Sequence, residues 1–345
     1  MRFQTEPAAP QDPGPRVGVL LVNLGTPQAP TAAATRRYLA EFLSDPRVVE
    51  MPRPLWLPML HGAILRTRPA RSAAKYAQIW TPDGSPLAVW SAKQATLLQG
   101  YLGELGHPAQ VRHAMRYGQP AIAGQLDALK ARGCQHILIL PLYPQYAAST
   151  TASAVDAVGA WAARQRRLPE LRLVNQFHDD AGYIAALAGR VRRHWKEHGR
   201  PDKLLLSFHG LPERAVQLGD PYREQCAQSA RLLATRLGLA PEQWLLTFQS
   251  RMGRARWLGP ATQPTLERLA REGVGRVDVA CPGFVSDCLE TLEEIGMQAR
   301  AAFLSAGGRE FHAIACLNDD PAWLAALTQI ALRHLQGWPA ARQPA

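Results

Sequence analysis

The apolar run Lys203-Leu-Leu-Leu-Ser-Phe-His209 ends in a histidine that Gly210 and Pro212 follow at once. An apolar run broken by glycine and proline reads as a buried strand entering a turn. His209 then stands at the carboxyl end of a strand, the edge where open α/β sheets take their ligands. An imidazole held there is suited to proton transfer or to metal contact. Further along, Asp287, Glu290 and Glu294 follow a second apolar run and a turn at Pro282-Gly283. On an α-helix their i, i+3, i+7 spacing makes one acidic stripe, with Leu289, Leu292 and Ile295 on another face. Close carboxylates repel, so raised pKa values are expected where water is excluded. Such a stripe can relay protons or hold a divalent cation; a solvated acidic helix start, favoured by the helix dipole, is the alternative. Neighbouring strand tips of a parallel sheet open on one side, so His209 and Glu290 are expected to face one cavity. There an imidazole opposite a carboxylate can remove protons from a ligand while a cation is delivered. Two oxygens and one nitrogen make an incomplete metal site, suited to transit rather than storage.

Two further segments carry polar chemistry. In Pro141-Leu-Tyr-Pro-Gln-Tyr-Ala-Ala-Ser-Thr-Thr151, Tyr143, Ser149 and Thr150 follow a strand tip. The hydroxyls and a helix N-terminus can hold a carboxylate or phosphate, or Ser149 or Thr150 simply caps the helix. The loop from Phe248 to Pro260 carries Arg251, Arg254, Arg256 and Trp257, a set able to sandwich a planar anionic ligand or to form a plain basic loop. Among the other histidines only His194 and His198 have i, i+4 metal spacing, and the adjacent arginines and lysine argue for an exposed helix end there. No GxGxxG, P-loop or G-x-S-x-G motif is present, against dinucleotide, nucleotide and hydrolase chemistry.

The elements that must position these residues recur in two halves. Arg16 to Pro27 is a strand ending in Gly25-x-Pro27, matched by Lys203 to Pro212. Leu126 to Pro141 and Leu266 to Pro282 each read as helix, glycine, apolar strand and proline. The pattern predicts an α/β fold of two similar doubly wound, Rossmann-like parallel-sheet domains facing a cleft. The expected division is a loose tail over 1–16, an N-terminal α/β domain over 17–180, a C-terminal α/β domain over 181–335 and a tail over 336–345. The proline-broken apolar segment Met51 to Leu65 either packs as core under a loop, forms an apolar lip over the cleft or rests on a membrane surface.

The bulk numbers bound the rest. The chain has 345 residues, 47% of them hydrophobic and 19% charged, a globular composition large enough for two domains. No apolar run approaches the roughly 20 residues needed to span a bilayer. The first sixteen residues, with four prolines, do not form a secretory signal. An odd count of five cysteines without CxxC points to reduced thiols and a cytoplasmic setting. The net charge of +11 comes from scattered arginines, favouring a solvated basic surface over a nucleic-acid face. Contact with an acidic membrane surface or an anionic small substrate is the better functional alternative.

Six motifs in order make the chain similar to the ferrochelatases from about Val17 to Leu335: LLVNLGTP, GSPL with Met115-Arg116-Tyr117, PLYPQYAASTT, LLLSFHGLP, FQSRMGRARWLGP and SDCLETLEEI. The resemblance implies an enzyme, a lyase that inserts ferrous iron into protoporphyrin IX in the last step of haem biosynthesis. It implies that His209 is the active-site histidine, accepting pyrrole protons or contacting metal, and that Glu290 is its opposing carboxylate. Asp287 and Glu294 continue the acidic path, and Leu24, Arg116, Tyr117, Tyr143, Ser149, Thr150 and Trp257 contact the porphyrin. Iron is substrate and no cofactor is expected to be tightly bound. Animal members carry a histidine where this chain has Cys288, which is either packing or a soft ligand. Members with a two-iron, two-sulfur cluster carry cysteines for which Ala147, Ala148 and the chain end offer none, so no iron–sulfur cluster is expected. Leu24 stands where members acting on coproporphyrin carry tyrosine, which points to protoporphyrin. A chelatase for another tetrapyrrole or metal, and a non-catalytic two-lobed ligand-binding protein, are the alternatives; no nucleic acid is expected as partner.

Overall fold

A computed structural model describes residues 3–7, 17–251, 253 and 255–338, so that Arg254 and most of the expected terminal tails lie outside the description. The chain divides into two compact units. One comprises residues 1–142, 148–176 and 324–345, the other 143–147 and 177–323. The helix Pro321–Leu335 therefore falls largely with the first unit.

Each unit is built on a four-stranded, wholly parallel sheet. The first contains β1 (Val17–Gly25), β2 (Gln110–Tyr117), β3 (His136–Pro141) and β4 (Glu170–Leu173) in the order β2-β1-β3-β4. The second contains β5 (Lys203–His209), β6 (Trp244–Gln249), β7 (Arg276–Ala280) and β8 (Glu310–Ala313) in the order β6-β5-β7-β8. The two orders are the same once the count restarts, as the paired sequence patterns predict. Central strands of parallel sheets are covered on both faces and therefore carry continuous apolar runs rather than alternation. Val19 to Val22 and Leu204 to Leu206 are accordingly almost wholly buried. Leu126, Leu129, Val158 and Trp161 pack on Leu20, Val22, Ile137 and Ile139 in the first unit. Leu266, Leu269, Ile295 and Phe303 do the same to Leu205, Val277 and Val279 in the second.

This strand order reverses direction between its first and third members, and ligands of doubly wound sheets bind outside the carboxyl ends at that point. In the second sheet the reversal falls between β5, which ends in His209, and β7, which leads into the acidic segment. A glycine stands at the tip of β1 and just after the tip of β5 for a steric reason. Gly25 has φ of 115°, and a Cβ there would lie 1.9 Å from the Tyr117 carbonyl oxygen. A Cβ on Gly210 would lie 2.6 Å from the Gln249 carbonyl oxygen. The motif around β1 docks the helix Pro86–Glu104: the Asn23 amide donates to Ser91 Oγ at 3.2 Å and Thr26 Oγ1 to Ser85 Oγ at 2.8 Å.

The proline-broken segment is helical rather than a loop. Arg53–Met59, a π-helical turn Leu60–Ile64 and Leu65–Ile79 run on from one another. Trp56, Leu60 and Leu65 pack with Tyr38, Leu39, Leu43 and Tyr117, whereas Met51, Leu55 and Met59 are exposed. The segment thus divides its apolar residues between core and surface. Residues 3–7, within the stretch expected to be loose, are tied down by Gln4 N–H to Arg164 O at 2.9 Å and by Glu6 against Lys130 at 2.6 Å.

At the end of β2 a buried polar knot fixes the first unit. Asp45 accepts from Arg116 Nη2 at 2.6 Å, Tyr117 Oη at 2.8 Å, Ser153 Oγ at 2.6 Å and the Arg47 N–H at 2.8 Å. Burial alone would raise the Asp45 pKa; the bonds from Ser153, Arg47 and Tyr117, with the Arg116 charge, outweigh it and hold the carboxyl below its ordinary value. A depressed folded-state pKa means that the ionised form stabilises at neutral pH and that this contribution is lost as pH falls below about 4. Asp45→Asn should therefore lower stability at pH 7 by on the order of 2 kcal/mol. Denaturant titrations at pH 7 and in acid should show the gap between wild type and variant narrowing as the pH falls.

Candidate active site

His209 is the last residue of β5, half-buried, with its ring orientation set by its own turn. Its Nδ1 lies 2.7 Å from the Gly210 carbonyl oxygen. A carbonyl can only accept, so Nδ1 carries a hydrogen, and in the neutral ring the lone pair is on Nε2. The His209 carbonyl in turn accepts from Tyr222 Oη at 3.0 Å. Burial pushes the Tyr222 phenol well above its ordinary pKa, which keeps it a donor. Beyond the turn, Pro212 bridges Trp257, and the Leu258 N–H donates to Leu211 O at 2.9 Å. The loop after β6 is thereby laid along Gly210 to Glu213, and the Trp257 ring reaches 3.2 Å from where a Gly210 Cβ would be. This places Trp257 beside the residue after His209. Arg251 and Arg256 of the same loop are exposed.

The residue that joins His209 to the acidic segment is Gln249, which the sequence reading passed over. It is 3% exposed and pairs in register with His209. Its carbonyl accepts the Gly210 N–H at 2.7 Å. Its side-chain Oε1 accepts from Ser207 Oγ at 2.7 Å, and its Nε2 donates to the Glu290 carbonyl at 2.9 Å. One buried amide thus links the β5 tip to the start of the acidic helix. Ser207, two residues before His209, is the second residue missed. The only sequence signal for either was a polar residue inside an otherwise apolar strand.

The acidic residues do not form the expected α-helical stripe. Asp287 precedes the helix, and Glu290–Ala299 is a π-helix bonded i to i+5. A wider turn brings residues four and five apart onto one face, so Glu290 and Glu294 share a face and the i, i+3, i+7 row is lost. Asp287 is a buried acceptor instead: Asn318 Nδ2 donates to its Oδ2 at 2.7 Å and Thr291 Oγ1 to its Oδ1 at 2.9 Å. Asn318, at φ of 49°, also accepts the Asp287 N–H at 2.8 Å. Glu294 bonds Ser250, taking its N–H at 2.7 Å and its hydroxyl at 2.5 Å. Ser250 has φ of 63°, a strained conformation for a residue with a side chain, and those two bonds hold it there. Glu294 also lines a pocket of about 360 Å³ with Gln249, Ser250, Arg251, Thr262 and Ile295. Glu293, absent from the expected set, is buried and bonds Gln298 Nε2.

Cys288 is 5% exposed, and burial followed by the Glu290 charge pushes its thiol well above the ordinary range. A buried, protonated thiol fits the packing role, with Cys288 as a weak S–H donor toward Glu290.

Among the expected porphyrin contacts, Leu24 is half-buried at the tip of β1, and Tyr143, Ser149 and Thr150 are half-buried after β3. Arg116 and Tyr117 depart from that role. Tyr117 is fully buried, its ring against Phe42 and its hydroxyl on Asp45, and Arg116 is bound to Asp45 and Ser153. Both side chains fix the end of β2. Ser149 and Thr150 are not helix caps either: they lie in a π-helical turn, Ala148–Ala152, ahead of a helix whose N-cap is Ala152. The segments after β3 and after β7 thus share a π-helical turn.

The fold is that of the chelatases. The chain is similar to SirB from Bacillus subtilis with Fe3+, at a TM-score of 0.54 and 15% identity over 92% of this chain and 94% of that one. It is also similar to the sirohydrochlorin chelatase SirB from Bacillus subtilis subspecies spizizenii in complex with cobalt, at 0.50 and 13% over 91% and 92%. The chain belongs to the ferrochelatase family, whose profile matches residues 16–335. Ferrochelatases of Methylibium petroleiphilum and of a Polaromonas species are 65% and 61% identical to it, covering 100% and 98% of this chain and 95% and 94% of theirs.

Gln249→Leu tests the link between the two halves of the site. It keeps volume but leaves the Glu290 carbonyl without its donor, while Ser207 Oγ keeps Thr262 Oγ1 at 2.8 Å as a partner. A buried group left unpaired costs about 1–3 kcal/mol. Thermal unfolding should show a loss of that order, and turnover should fall more than the lost stability explains at temperatures where the variant is folded.

Proposed function

We propose that this protein inserts ferrous iron into protoporphyrin IX, giving protohaem in the last step of haem biosynthesis, with His209 and Glu290 as the groups that handle protons. The observation that carries the reading is that one residue, Gln249, binds both the turn after His209 and the backbone of Glu290 at the carboxyl ends of the second sheet, in a chain of the ferrochelatase family.

The free macrocycle holds two N–H protons in the plane of its four nitrogens. Iron enters as those two protons leave, so the enzyme must supply acceptors. His209 is ready for the first, because its Nδ1–H is bound to Gly210 O and its Nε2 lone pair is unused. Glu290 takes the second or meets the cation. Glu294, four residues along the wide helix and lining the pocket, continues the path from Glu290. Asp287 anchors the loop and moves no proton in this scheme, because its carboxylate is held by Asn318 and Thr291. Trp257 offers an aromatic face for packing a bent ring, which places binding energy into distortion of the substrate. The scheme needs no resident cofactor, iron being cargo.

Among the described residues no helix is long and apolar enough to cross a membrane. The exposed Met51, Leu55 and Met59 support peripheral contact with a membrane surface.

General acid–base groups contribute roughly 10²–10⁴-fold to rate. In anaerobic assays with protoporphyrin and ferrous iron, read at the haem absorbance bands, His209→Ala should lose a factor in that range. Glu290→Gln should lower turnover while porphyrin affinity, followed by fluorescence, changes little. Unchanged turnover in either variant would remove the proton-handling role given to that residue, and equal turnover on coproporphyrin would remove the substrate preference.

A further inference from the structure

The opposite end of the second sheet carries a cluster of three imidazoles. His194 and His198 lie one turn apart near the end of the helix Ala181–His198, and His312 is on β8. Their ring centroids are 4.4 Å apart for His194–His198, 5.1 Å for His194–His312 and 4.9 Å for His198–His312. One ring nitrogen from each lies within 4.8 Å of the others. We propose that His194, His198 and His312 form a binding site for a divalent cation of the zinc class, separate from the site that handles the iron substrate.

Three observations beyond proximity support it. Carboxylates stand behind two of the rings: Glu310 Oε1 is 2.7 Å from His312 Nε2, and Asp278 Oδ2 is 3.5 Å from His194 Nε2. A carboxylate behind an imidazole orients it and strengthens its other nitrogen as a ligand. His198 Nδ1 is engaged by the His194 carbonyl at 3.1 Å, which leaves its Nε2 available. Second, the charge that argued against the pair in the sequence is directed elsewhere. Arg190 and Arg193 pair with Asp320, and Arg192 bonds the Arg236 carbonyl. Arg276 is the cation beside the cluster, and it faces both Asp278 and Glu310, so two carboxylates oppose one guanidinium. Third, the third ligand is supplied by pairing that spacing cannot reveal: His312 stands in register with Asp278, and Asp278 with Leu204.

Leu204 is five residues before His209 on β5, about 16 Å at the rise of a strand. The cluster is therefore remote from the His209 ring. Three imidazoles with an open fourth position suit zinc, nickel or copper. Nitrogens around a tetrahedral zinc are ~3.3 Å apart, so the ring nitrogens need to draw together by up to about 1.5 Å through small rotations of the three side chains. The bound cation would clip the helix end to the edge strand β8.

The test is calorimetric titration of the purified full-length protein with Zn2+ alone, repeated with His198→Ala, His312→Ala and His209→Ala. Zinc can also meet the iron site, so the His209→Ala protein isolates the cluster. His209→Ala should retain one equivalent of bound zinc and a zinc-dependent rise in Tm. His198→Ala should lose that equivalent or weaken it by more than about tenfold, while folding normally and keeping iron insertion. Co2+ bound to His209→Ala should give visible d–d bands that the added His198→Ala change abolishes. Zinc binding and Tm shift that survive in His198→Ala combined with His209→Ala would overturn the proposal, as would the absence of zinc binding in His209→Ala.

Discussion

The second unit depends on one buried amide. Gln249 uses its backbone carbonyl to hold the turn after His209, its side-chain oxygen to hold Ser207 inside the same strand, and its side-chain nitrogen to hold the first carbonyl of the π-helix. A buried polar group that is fully satisfied gives rigidity and orientation, whereas the same group half-satisfied destabilises. The strand tip and the helix start come from segments far apart in the chain, and no apolar contact could fix their angle as directly as hydrogen bonds do.

Around that link the remaining polar groups act as supports. Tyr222 holds the His209 carbonyl, Glu294 holds Ser250, and Asn318 with Thr291 holds Asp287. Of the three carboxylates that the sequence offers for chemistry, Asp287 is held by Asn318 and Thr291, whereas Glu294 bonds Ser250 and also lines the pocket. Beside Glu290 stands a protonated thiol, Cys288, rather than a second base. In the first unit the Asp45 knot plays the supporting part for β2, which explains why Arg116 and Tyr117 turn inward.

Much of this was legible in the chain itself. The paired halves, the parallel sheets and the strand-tip position of His209 follow from apolar runs ending in glycine and proline, signals that depend only on local order. The resemblance to ferrochelatases rested on six such segments and holds. The acidic stripe failed because α- and π-helical turns use the same residue types, and only the bonding pattern separates them. Gln249 was missed because an amide does not titrate and so draws no attention as chemistry. The burial of Tyr117 was not legible because the cover over β2 comes from residues near Tyr38 and Trp56, distant in sequence. His312 was passed over for a related reason: strand pairing brings it to His194 and His198.

All five cysteines are buried, and each thiol is pushed above its ordinary pKa, by burial first of all. For a protein that hands on a redox-active metal this has a meaning beyond packing. Thiolates bind soft and borderline cations tenaciously and oxidise readily, whereas neutral sulfhydryls do neither. Sulfur that is buried and protonated beside the acidic helix competes less for such a cargo than an exposed thiolate would.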